Sequence, residues 1–525
     1  MTTLTLTILD VSGIQSYLFA SNRMAHNIGA SWLVEQAISD QPGGWVQIAL
    51  VKAGAQTDSV PIWQPASRAT AEVVYCGGGN AVLLFKKADT ARSFVQQHSR
   101  IALENARGLR VVAHHAEFDW QQESFAKVYT QALRDLARRK MEQPHVLPMP
   151  SLGVTAACEY TGAPAVDYLQ DPDGRPRRVS AEIRDKQQAR DHARARWQKT
   201  FSSLLGDSYQ FTEDFNEMGE ERRQFLAVVH ADGNGIGQRK EDLCNKYPRP
   251  DQNAESVLAL RKISTQLKAA GQSALQQTLS HMIAWLEGDW ALPPQQRRFG
   301  RWDGKQLPFL PLVYGGDDVT FVCDGRLGLS LAALYLRKFS QHSTDFGGSL
   351  HACAGVAIVK NRYPFAQAYG LAESLAGEAK RKVKEAQPDG NASGLDWHFA
   401  ISGAVRDLRG IRSTEYETAY GSLHARPRIF NASQDPIHYW QTFRDLAREF
   451  NSATWAERRN KVKALREWLR EGPHVVKTNL QAFEIDSLPE IKGLPESVKK
   501  DGWYDKTCAY FDAIEALDLF IDLED

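Results

Sequence analysis

One order of elements occurs twice in this 525-residue chain, and the repeat restricts the fold more than any other feature. In the first copy a strand-like run, Leu4 to Val11, reaches Asp10-Val-Ser-Gly13 and leads into a helical stretch, about Ile14 to Ile38. A strand Ala71 to Cys76, a turn Gly77-Gly78-Gly79-Asn80 and a strand Ala81 to Phe85 follow. A polar helix, about Thr90 to Arg107, and a strand, Leu109 to Ala113, complete the copy. Period-2 runs on both sides of a glycine turn read as a hairpin. In the second copy Phe225 to His230 leads to Asp232-Gly-Asn-Gly235, then a long helix, about Ala254 to Leu286. The strand Phe309 to Tyr314, the turn Gly315-Gly316-Asp317-Asp318 and the strand Val319 to Cys323 come next. A helix, about Leu327 to His342, and a strand, Leu350 to Val359, close it.

Strand, helix, strand, strand, helix, strand is the ferredoxin-like split unit found in palm domains. The expected fold class is therefore α/β (α+β), with two ferredoxin-like palm domains packed as a pseudo-dimer. The expected division is a first palm over 1–143, a linker over 144–220 with a charged helix near Ser180 to Leu205, a second palm over 221–400, and a helical C-terminal domain over 401–525.

In such a sheet the strands bearing Asp232, Asp317 and Asp318 are neighbours, so three carboxylates converge at one edge. Left alone they repel and raise at least one pKa. Carboxylate oxygens suit hard divalent cations, and a pair of such ions can clamp both oxygens of a phosphoryl transfer. The sequence thus predicts a two-metal site for Mg2+ or Mn2+ with Asp232, Asp317 and Asp318 as ligands and catalytic acids. Gly315 and Gly316 clear space for a triphosphate at the backbone. Gly233, Asn234 and Gly235 offer amides at a helix start. A later helix carries Lys380, Arg381, Lys382 and Lys384; Lys380 is the candidate for neutralising phosphate charge. In the first copy glycine and asparagine replace the turn's acids, and Asp10 alone cannot hold two metals. That half is expected to bind the acceptor nucleotide through Ser12, Gly13, Gly77, Gly78 and Gly79.

Composition removes other classes. Lys+Arg and Asp+Glu both number 63, which speaks against a broad nucleic-acid coat. The six cysteines form no Cys-x-x-Cys pair, so neither a disulfide framework nor zinc is expected. No run of about 18 apolar residues suggests a membrane span. The N-terminus lacks signal-peptide character, and the chain is expected in the cytoplasm.

The paired palms, the Gly-Gly-Asp-Asp turn, Asp10-Val-Ser-Gly-Ile-Gln15 and Ile28-Gly-Ala-Ser-Trp-Leu-Val34 resemble the large palm subunit of type III CRISPR effectors, over about residues 1 to 400. That family is similar to GGDEF diguanylate cyclases and class III nucleotide cyclases. The resemblance implies joining of ATP, or other NTPs, into 3′–5′-linked cyclic oligonucleotides in antiviral defence. Asp232, Asp317 and Asp318 would match the family's metal-binding acids and Lys380 its phosphate-facing lysine. CRISPR RNA, target RNA and other effector subunits are the implied partners. The chain departs from the family in lacking a His-Asp nuclease motif, and a zinc knuckle has Thr161 where the partner of Cys158 would stand. A shortened effector subunit and a compact stand-alone cyclase both accommodate these departures. An RNA-binding scaffold with an inactive palm is the alternative, and the intact acids argue against it.

Overall fold

The computed structural model describes residues 3–142, 153–171, 174–213, 225–299, 302, 304–314, 316–345, 347–400, 407–430, 435–452, 455 and 459–524. The first half runs β1 (Thr3–Ser12), α1 (Met24–Ala37), β2 (Ala71–Gly77), β3 (Asn80–Phe85), α2 (Ala88–Asn105), β4 (Arg110–Asp119) and α3 (Phe125–Glu142). Its sheet has the order β2-β3-β1-β4 with antiparallel neighbours. Leu4, Leu6 and Ile8 bury one face of β1, and Thr5 and Thr7 are buried on the other, as a central strand requires. β4 pairs with β1 along its whole length and extends to Asp119, beyond the expected Ala113.

Between the halves the charged helix α4 (Ala181–Thr200) lies along α1. At Gly29 a Cβ would stand 1.8 Å from the Lys186 carbonyl oxygen, so the two backbones meet there. Lys186 itself is buried, donating to the Tyr17 carbonyl at 2.5 Å.

The second half repeats the first: β5 (Phe225–Gly233), α5 (Ile236–Asn245), α6 (Asn253–Trp290), β6 (Phe309–Val313), β7 (Asp318–Asp324), α7 (Gly328–Ser340), β8 (Ala352–Lys360) and α8 (Phe365–Ala386). The order β6-β7-β5-β8 matches the first sheet. This sheet then continues through β9 (Gly394–Ala400), parallel to β8, to β10 (Arg428–Ile429). Beyond residue 407 helices dominate, as expected, and four two-residue strands form a small extra sheet. One apolar core runs through both halves and into this tail.

The expected helix from Ile14 to Ile38 is interrupted. It forms a short helix, Ile14–Leu18, and then α1. Ser21 and Asn22 favour caps over helix interiors, and the Ser21 hydroxyl accepts from the Arg23 amide at 3.1 Å. The second half is broken at the matching place, between α5 and α6. Each break supplies an asparagine to the opposite half. Asn253 accepts from the Phe125 amide at 2.7 Å, and Asn22 accepts from the Phe365 amide at 3.1 Å. Each thereby satisfies one of the orphan amides at the start of the other half's last helix. Among the described residues no helix is long and apolar enough to cross a membrane.

Candidate active site

Asp232, near the end of β5, is directly opposite Asp318 of β7 and, on its other side, Cys353 of β8. The Gly233 amide donates to the Asp317 carbonyl at 3.0 Å, which straps the turn to β5. A Cβ at Gly233 would lie 2.8 Å from the Asp317 Cβ, so only glycine allows this approach. The three acids foreseen from the sequence are therefore held within one strand-end cluster.

Lys380 of α8 reaches this cluster. Its Nζ donates to Asp232 Oδ2 at 2.5 Å and to the Gly233 carbonyl at 3.3 Å. Gly235 has φ +65° and opens α5, a conformation that favours glycine. Asn234 turns inward: its amide nitrogen Nδ2 donates to the Ala392 carbonyl at 2.8 Å. The Gly316 carbonyl packs against α6, where a Cβ at Gly271 would stand only 2.0 Å from it. Gly315 lies outside the described residues.

Two neighbours were not foreseen. His230 is buried on β5, its Nδ1 3.4 Å from Asp318 Oδ1 and 3.2 Å from the Thr320 hydroxyl. It precedes Asp232 by two residues, so strand periodicity alone puts both on one face. Lys240 of α5 lies 5.1 Å from the Tyr75 ring of the first half, and burial holds its ammonium below the usual range despite the charge of Asp317.

Crowding appears in the electrostatics. Burial pushes Asp317 up; Lys240 opposes the rise and Asp232 adds to it. Asp318 is driven well above the usual carboxylate range by burial and then by Asp232 and Asp317. Nearly half of the Asp318 side chain is exposed (48%), yet its Oδ1 faces inward without a hydrogen-bond donor. An acceptor with no donor, among carboxylates that resist joint ionisation, suits a hard cation. The Lys380 ammonium already supplies one such positive charge to Asp232. Among the described residues no three His, Cys, Asp or Glu side chains form a ready coordination shell.

The first half reproduces the frame. Asp10 is opposite Asn80, as Asp232 is opposite Asp318. The Val11 amide donates to the Gly79 carbonyl at 2.9 Å, and Gly13 has φ +67° before its helix. Ser12 ends β1 beside Arg110. Gly78 and Gly79 both have positive φ, and a Cβ on Gly79 would be 2.9 Å from the Ile14 side chain. Lys140 of α3 pairs with Asp10 as Lys380 pairs with Asp232. The sequence carried a signal for Lys140. Phe125, Ala126, Tyr129, Ala132 and Lys140 match Phe365, Ala366, Tyr369, Ala372 and Lys380 at identical spacing.

Both turns meet α6. Ser264 lies beside Gly77, with its hydroxyl 3.7 Å from where a Cβ would be, and Gly271 meets Gly316. Seven residues along a helix span about 10 Å. The acid-bearing turn and its acid-free counterpart thus lie close together along one helix.

The fold is a duplicated palm with one acidic turn. It is shared with solved structures of a Csm1–Csm4 cassette. The complex with cA4 gives a TM-score of 0.52 at 15% identity, covering 98% of this chain and 69% of that one. The apo cassette gives 0.53 at 15% identity, covering 98% and 70%. The Csm1–Csm4 subcomplex of the type III-A CRISPR-Csm interference complex gives 0.53 at 14% identity, covering 98% and 69%. No protein-family model matches the sequence, and no curated protein matches it.

Proposed function

We propose that the chain is a metal-dependent nucleotidyltransferase that joins ATP, or another NTP, into cyclic oligonucleotides for type III CRISPR-like defence in the cytoplasm. The observation that carries this reading is the cross-strand pair Asp232 and Asp318, with Asp317 beside it, on a duplicated palm. Related folds have been solved with cA4, cA3 and ATP, which supports the substrate class.

Asp232, Asp317 and Asp318 would hold Mg2+ or Mn2+. Such ions lower the pKa of an attacking 3′-hydroxyl and stabilise the leaving pyrophosphate. The remaining work falls to the chain. Lys380 is in reach of the triphosphate of the donor nucleotide, with its charge freed when Asp232 takes another partner. Gly233, Gly235 and Gly316 keep side chains away from that triphosphate. The first half, through Ser12, Gly13 and the Gly77–Gly79 turn, holds the acceptor, so that its 3′-hydroxyl meets the donor α-phosphate across α6. The Csm1–Csm4 neighbours motivate a partner subunit for this chain as well, and the resemblance of its motifs motivates RNA.

The test is incubation of the full chain with Mg2+ or Mn2+ and labelled ATP and GTP, with and without target-bound guide RNA, read by mass spectrometry. Cyclic products that vanish in Asp317→Ala with Asp318→Ala support the proposal. Failure to consume either nucleotide under every condition overturns it and leaves the scaffold role.

A further inference from the structure

A second cleft lies on the far side of α8. It encloses about 660 Å³ between that helix and the tail, and its walls carry Lys382, Arg409, Arg412, Arg426, His424 and His438, with the acid Glu417 among them. A volume of several hundred Å³ is the size of a small-ligand site. Some of its charges are internally satisfied. Arg412 donates to both oxygens of buried Asp396 at 2.6 Å, and Arg381 is held by Glu378 and Glu385. Two others are not, and a third, Arg426, is satisfied only in part. Among the described residues Lys382 and Arg409 have no ion-pair partner.

Arg426 is the decisive residue. Its side chain is 1% exposed, Nη2 donates to Glu515 at 2.9 Å, Nε lies 3.6 Å from Asp512 Oδ1, and Nη1 has no acceptor. Its guanidinium is fixed over the Tyr416 ring at 4.8 Å and the Trp397 ring at 5.3 Å. A buried N–H without an acceptor is costly even on a guanidinium whose charge is paired, and an oxyanion removes that cost. The two histidines donate from Nδ1 to the Arg426 and Ala425 carbonyls, so the neutral rings keep only an acceptor at Nε2, which in His438 lies 3.6 Å from Asp435. Burial and the nearby cations push both imidazoles down, His424 to about 3, consistent with a positive field in the cleft.

We propose that this cleft binds the phosphates of a small inorganic or nucleoside polyphosphate, with Lys382, Arg409 and Arg426 as its cations. The site is separate from the acidic cluster, because Lys380 and Lys382 project from different faces of α8. Its occupant would connect α8 to the tail and so bear on the helix that carries Lys380.

The experiment uses the full chain with Asp317→Asn, Asp318→Asn and Lys380→Ala, in EDTA, so that the acidic cluster does not contribute. Tripolyphosphate, ATP and a short 5′-hydroxyl oligoadenylate RNA are titrated by calorimetry. One site for tripolyphosphate or ATP is expected, weakened at least tenfold by half-buried Lys382→Ala with exposed Arg409→Ala, a double variant whose folding is checked by melting. Arg426→Lys, checked by melting, should weaken it as well. Unchanged affinity in the double variant, absence of binding, or binding of the RNA alone overturns the proposal.

Discussion

Lys140 and Lys380 occupy the same position in two equivalent helices, counted from Phe125 and Phe365, and each ammonium pairs with the strand-end aspartate of its own half. The surroundings differ. Asp232 belongs to a crowd of acids, whereas Asp10 faces Asn80. Equal positions with unequal neighbours predict unequal kinetic effects. Lys380→Ala should lower kcat about 10²-fold, the usual scale for losing one charge-stabilising donor. Lys140→Ala should raise KM with little change in kcat, as loss of uniform binding does. Steady-state kinetics with ATP decides this, and equal falls in kcat would refute the division of labour.

Gly271 and Gly288 both lie in α6, yet alanine should act oppositely at the two. Nothing lies near a Cβ at Gly288, so Gly288→Ala should stabilise by about 0.5–1 kcal/mol. At Gly271 the new Cβ would strike the Gly316 carbonyl, and Gly271→Ala should destabilise by about 1–3 kcal/mol. Activity should fall with it, because the acid-bearing turn must shift. Urea unfolding of both variants, alongside product formation, checks the pair.

Asn253 accepts from the Phe125 amide and donates to the Trp120 and Glu123 carbonyls, while Asn22 makes one cap bond. Removing a cap costs about 1 kcal/mol. Asn22→Ala should cost about that much, and buried Asn253→Ala about 2–3 kcal/mol, because three backbone groups lose their partner. Equal losses in thermal melts would show that the extra bonds of Asn253 contribute nothing.

Acid should weaken the first half through His26, which is buried beside Ser21 and pushed down to about 4 by burial and then by Lys186, Arg23 and Arg190. The folded pKa lies below the unfolded one, so protons favour the unfolded chain. The stability is intact above about pH 6.5 and declines as pH falls toward 4. One proton corresponds to a slope of about 1.4 kcal/mol per pH unit. Denaturant unfolding between pH 7 and 4.5 should show a shallower slope in His26→Gln by close to one proton.

Much of this was legible because it is periodic. Alternation located the central strands, and the order of elements, which makes the strands bearing Asp232, Asp317 and Asp318 neighbours, gave the acid cluster before any geometry. The break near Asn22 was missed because its cause is tertiary: Asn22 accepts from the Phe365 amide, which is remote in sequence, whereas the long helix α6 was read close to its observed bounds and only α5 ahead of it was passed over. The inward turn of Asn234 follows from the position of Ala392, which no local pattern encodes. Lys140 was legible and passed over, since its helix was not compared with that of Lys380. The addition of β9 and β10 to the second sheet rests on a parallel pairing, which leaves only a short apolar run in the sequence.

The exchange of asparagine caps has the form of an isologous contact: the same structural position in each half serves the same helix of the other. That is how two copies of one palm associate as a homodimer. Here both partners are consecutive stretches of one polypeptide, so the two-fold surface is already occupied within the chain. Divergence of one copy then leaves every molecule with one acid-bearing and one acid-free face in fixed stoichiometry, a pairing that separate subunits could reach only by sorting.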